Sequence, residues 1–70
     1  MDLQQQYDQS KLKVEALENI VRGLSTLSMM EEFDGLGVAG QLRMYSMALA
    51  PAKNEHEAIA LKSAVSLAEA

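Results

Sequence analysis

From Leu3 to Ser28, apolar or small residues recur at alternating spacings of four and three: Leu3, Tyr7, Ser10, Val14, Leu17, Val21, Leu24 and Ser28. This is the spacing of a heptad seam on one side of an α-helix. Ile20 and Leu27 flank the seam and widen it into a face suited to packing on other helices. The pattern predicts a first helix over about residues 2–30, roughly 40 Å long at the α-helical rise. Asp2 stands where a side chain can accept from the free amides of the first turn and suit the positive helix end. Lys11 with Glu15 and Glu18 with Arg22 are spaced for pairing on the solvated side. Gly23 lies off the seam, where a missing side chain allows close approach of another helix on a second face with Leu12, Ala16 and Leu27.

The first helix is expected to stop between Met30 and Asp34. Glu31, Glu32 and Asp34 would oppose the negative end of a helix, and Asp34 followed by Gly35 is a turn signal. A second helix is expected over about 38–50, with Val38, Leu42, Tyr45 and Leu49 as its stripe and Met44, Met47 and Ala48 making much of its remaining surface apolar. Pro51 predicts its end, because proline disfavours α geometry in the residue before it. A third helix, about 55–69, is expected to open on a capping box of Asn54 with Glu57 and to pack through Ala58, Leu61, Val65 and Ala68.

The expected architecture is therefore a single all-α domain, residues 1–70. A long N-terminal helix has two shorter helices folded back on it as a helical hairpin. A chain of this length buries a modest core, and with no cysteine it has no disulfide to staple it. Only Phe33, Tyr7 and Tyr45 are aromatic, so Leu, Ala, Val and Met must build the core. The heptad seam and the few aromatic residues favour association, and the expected self-association face is Val14, Leu17, Ile20, Val21, Leu24 and Leu27.

Composition narrows the function classes. The net charge of −4, with the six basic residues scattered, argues against direct nucleic-acid binding. An acidic surface suits a basic protein partner. No secretory signal and no bilayer-length apolar run is visible, so a cytoplasmic protein is the expectation.

Candidate chemistry is sparse. His56 falls in the expected first turn of the third helix, where an exposed capping-region histidine is the simplest reading. No Gly-rich loop precedes a Lys-Ser/Thr pair, and Gly35-Leu36-Gly37 is too short for a nucleotide fingerprint. No Cys/His or calcium-loop spacing occurs. The expectation is no enzyme, no cofactor and no metal.

Binding is the remaining class. Glu31, Glu32, Phe33 and Asp34 form an acidic and aromatic turn that can dock on a partner, although Phe33 can equally tuck back as a lid on the core. Arg43 and Tyr45 are the second candidate contact. Flexible Met29, Met30, Met44 and Met47 fit either an adaptable surface or core gaps. The expected function is a small acidic protein-binding regulator, an inhibitor or anti-activator working as a homodimer, with the DNA-binding face of a transcription regulator as one candidate target. In size and charge the chain is similar to accessory inhibitors of phages and mobile elements. It is also similar to small helical co-chaperones of export systems, so a co-chaperone or structural subunit is the alternative. Direct DNA reading is disfavoured, since the third helix offers only Lys62 beyond its cap against Glu55, Glu57 and Glu69.

Overall fold

The computed structural model describes residues 2–69. Met1 and Ala70, which bound the expected domain, lie outside the described residues. Helix α1 spans Leu3–Ser28 and helix α2 spans Val38–Glu69, with a single 3-10 turn at Glu31–Phe33 between them. The two helices pack antiparallel as one hairpin with extents of 55 × 18 × 14 Å.

Helix α1 starts where the seam does. The Asp2 carboxylate accepts from the Gln5 backbone N–H at 2.8 Å, and the Gln5 side chain accepts from the Asp2 N–H at 3.2 Å. This reciprocal capping box satisfies two amides that the first turn would otherwise leave open.

Helix α2 departs from expectation. The predicted break at Pro51 is absent, and one helix of 32 residues replaces the two expected at about 38–50 and 55–69. Asn54 and Glu57 are therefore mid-helix residues. The seam explains why the helix continues. Buried or half-buried positions run Val38, Leu42, Tyr45, Leu49, Ala52, His56, Ile59 and Ser63, an unbroken 4-3-4-3 series straight past the proline. Pro51 itself is exposed. The hydrogen bond it cannot donate belongs to the carbonyl of Met47, a residue on the water-facing side. The stripe expected to pack the third helix is outside: Ala58, Leu61, Val65 and Ala68 are all exposed.

A proline inside a helix still costs stability. Pro51→Ala is expected to raise the unfolding free energy by about 1–3 kcal/mol. Thermal melting followed by circular dichroism reads this directly, and an unchanged or lower midpoint would count against a continuous α2.

The register follows from one cross-helix bond. Ser10 Oγ lies 2.8 Å from His56 Nδ1. Extending that antiparallel layer in heptad steps toward the turn sets Val14 opposite Ala52, Leu17 opposite Leu49, Val21 opposite Tyr45, and Leu24 opposite Leu42. In the other direction Tyr7 meets Ile59. Burial is deepest near the middle and ends of this ladder, at Val14, Ala52, Ile59, Val38 and Ser10. Two helices cannot enclose a side chain completely, and no large side chain among the described residues is fully buried.

Ion pairs mark the two flanks of the seam. Lys13 Nζ lies 3.6 Å from Glu55, and Lys53 Nζ lies 3.7 Å from Glu18. Lys13 and Glu55 each precede a seam residue by one, whereas Glu18 and Lys53 each follow one, so the pairs sit on opposite sides. These cross-helix pairs replace the expected Glu18–Arg22 and Lys11–Glu15 pairs along α1. All four side chains are substantially exposed, so each pair contributes only a few tenths of a kcal/mol.

Candidate functional site

The turn joining the helices carries the densest charge on the molecule. Met30 leaves helical geometry, Glu31–Phe33 makes one 3-10 turn, and Asp34 is again extended. Gly35 and Gly37 then take φ of 82° and 75°, a left-handed region that residues with a side chain enter at a cost. These two residues reverse the chain within the short link between the helices. Backbone bonds order the turn: Phe33 N–H donates to Met30 O at 3.1 Å, Asp34 N–H to Glu31 O at 3.0 Å, and Leu36 N–H to Phe33 O at 3.3 Å. Gln41 N–H donates to Gly37 O at 3.0 Å and opens α2.

Glu31, Glu32 and Asp34 are exposed at this pole, and none forms an ion pair within the described residues. Phe33 is half-buried and lines an open cleft of about 430 Å³ with Ser28, Asp34, Gly35, Gly37, Val38 and Ala39. The aromatic ring thus works as a lid on the hairpin end while the carboxylates beside it face water. The cleft's side-chain polar groups are the Ser28 hydroxyl, which donates to Ser25 O at 2.7 Å, and the Asp34 carboxylate. That set can accept donors from a partner. It contains no hydroxyl paired with a base.

The second candidate contact does not hold together as one surface. Tyr45 is a half-buried seam residue, whereas Arg43 is exposed on the flank marked by Glu18–Lys53. Residues two apart on a helix differ by about 200° in direction.

The self-association residues divide in the same way. Val14 is buried, and Leu17, Val21 and Leu24 are half-buried, in the seam that α2 covers. Ile20 (40% exposed) and Leu27 lie on the flank marked by Lys13–Glu55. Stepping by heptads from that ion pair toward the turn gives Ile20 and Leu27 on α1, and Ala48 and Gln41 on α2. Just outside them come Ala16, Gly23, Met44, Pro51 and Ala58, none of them charged. The opposite flank holds Asp8, Lys11, Glu15, Glu18, Arg22, Arg43, Lys53 and Glu57. One broad side of the hairpin is therefore charged along its length, and the other is uncharged over its turn-proximal half.

One polar cluster runs against the sequence expectation. His56 is neither in a first turn nor fully exposed; it occupies a seam position in the middle of α2. Its Nδ1 meets Ser10 Oγ, which is 5% exposed and also donates to Tyr7 O at 3.0 Å. The hydroxyl has one proton for these two neighbours; given to Tyr7 O, it leaves the imidazole to supply its own as Nδ1–H. The Tyr7 ring packs against the imidazole with centroids 5.0 Å apart, tilted by 47°. The signal for this cluster in the sequence is Ser10 in the α1 seam, where a buried hydroxyl bonded to its own helix can still meet a polar side chain from the facing helix.

Among the described residues no group of three or more His, Asp or Glu is placed to hold a metal ion. No described helix is long and apolar enough to cross a membrane. Fold and site together define a two-helix antiparallel hairpin with an acidic turn. Compared with protein-family models, curated proteins and solved structures, the chain matches none.

Proposed function

We propose that this chain is a small acidic regulator that works by binding another protein, as an inhibitor or anti-activator, in the cytoplasm and as a homodimer. The observation that carries the reading is the turn. Glu31, Glu32 and Asp34 are exposed together, without cation partners among the described residues, on a turn closed by backbone hydrogen bonds and two left-handed glycines. A cluster of carboxylates without cation partners among the described residues favours a basic protein surface, because opposite charges steer the encounter. The DNA-binding face of a transcription regulator is one surface with that chemistry. Binding rather than catalysis accounts for this arrangement, since the carboxylates stand open to water instead of in an enclosed pocket.

The test compares two baits. The native protein and the E31K/E32K variant are immobilised side by side and exposed to the same lysate of the source cell. The reading expects a basic protein held by the native bait, released by salt, and bound at least tenfold more weakly by the variant. Circular dichroism should show unchanged helicity, because both positions are exposed. An identical retained set on both baits would remove the acidic turn from the mechanism. It would turn attention to the alternative, a co-chaperone or assembly subunit that binds through apolar surface.

A further inference from the structure

We infer that a second copy of this chain covers the uncharged flank, with the two turns at the same end, to form a four-helix bundle. The inference deepens the homodimer reading by naming its face and orientation. Within one chain α2 already buries Val14 and half-buries Leu17, Val21 and Leu24, so the seam has less surface left for a dimer than the flank beside it. The flank beside it is free. Ile20 and Met44 are 40% and 57% exposed there, and a Cβ built on Gly23 would meet nothing within 4 Å.

Size and charge both point to a second copy. The whole side, 55 Å long and 18 Å wide, presents on the order of 1,000 Å² and its uncharged half about 500 Å², so a contact of the ~800 Å² that each partner contributes to a stable interface takes in the half with Lys13 and Glu55 as well. A two-fold axis along the length of the hairpin stacks α1 of one copy on α2 of the other, at matching heights. That operation sets Ile20 across from Ala48, and Gly23 across from Met44, so large residues meet small ones. It also sets Lys13 across from Glu55, so opposite charges close the apolar zone where it ends. With the copies reversed end to end, the uncharged half would lie on the half carrying Lys13, Glu55 and Lys62. Turns at the same end also gather both acidic clusters at one pole, doubling the charge available to a basic partner.

The experiment uses the full chain. Sedimentation over a wide concentration range measures the dimer dissociation constant of the native protein, of Ala48→Arg and of Met44→Glu. Both positions are exposed in the single hairpin, so circular dichroism should confirm retained helicity. The expected result is a native dimer and a rise of at least about a hundredfold in dissociation constant for each variant, because two-fold symmetry buries the new charge twice. A single spin label on Glu32→Cys then reports orientation, since the chain has no other cysteine. Turns together give a label separation below half the 55 Å hairpin length.

A dimer insensitive to both substitutions would overturn this face while leaving the homodimer reading in place. Labels a full hairpin length apart would overturn the orientation. A helical native monomer at all concentrations would end both, without touching the acidic turn.

Discussion

Val14→Asp is expected to leave the chain without a stable hairpin. Val14 is only 9% exposed and occupies a central layer opposite Ala52, itself 3% exposed. The facing residue is a methyl group, so a carboxylate there meets no polar group in its own layer. Losing the valine forfeits about 1.5 kcal/mol or more of burial, and an unpaired carboxylate in its place costs on the order of 3 kcal/mol. A single domain of this size rarely holds more than about 3–5 kcal/mol in total, so the two losses together reach the whole stability. Far-UV circular dichroism should show the helical signal largely lost. Leu12→Asp is the matched control, on the same helix but 66% exposed, and it should retain native helicity. A Val14→Asp protein that stays helical and melts cooperatively within a few degrees of the native one would refute the packing described.

The contrast between Val14 and Leu12 is legible in the amino-acid sequence, because α1 declares its buried face. Its apolar residues keep one spacing from Leu3 to Leu24, and Asp2 marks the start with a cap. The turn is legible for a related reason: Asp34-Gly35 and Gly37 supply the left-handed backbone that a tight reversal needs and that other residues enter at a cost. Helix α2 is not, and the cause is physical. Its local signals favour a stop at Pro51, a fresh cap at Asn54 and an apolar stripe through Leu61 and Val65. All three lose to the partner helix, which offers a continuous seam and rewards whichever residues complete it. Those residues include Ala52, His56 and Ser63, which carry little hydrophobic signal of their own.

The pairing of Ser10 with His56 supplies the register that α2 composition alone conceals. The separation of Arg43 from Tyr45, by contrast, follows from their spacing. The uncharged flank lies between these cases. Gly23, Ala16 and Leu27 point to a second face on α1, but the α2 half of that face emerges only from the register.

The Ser10–His56 layer should behave as a coupled unit. Ser10→Val removes the hydroxyl and leaves Nδ1 of a half-buried imidazole facing a methyl group, a loss of about 1–3 kcal/mol. His56→Leu is milder, because Ser10 keeps its bond to Tyr7 O and the new side chain fills an apolar seam. With both replaced, neither the Ser10–His56 donor nor its acceptor is left without a partner. The S10V/H56L protein should therefore be at least as stable as the native chain. The double-mutant cycle, read from chemical denaturation, should return a coupling of about 1–2 kcal/mol.

Stability is only half of the expected result. The layer joins seam side chains across the two helices by a hydrogen bond, so it discriminates between registers that apolar layers accept almost equally. The doubly apolar seam should therefore associate less selectively, with higher oligomers appearing in sedimentation beside the native species. Additive single effects would show that the 2.8 Å contact contributes no coupling. A double variant with native oligomeric behaviour would assign register control to the glycine turn instead.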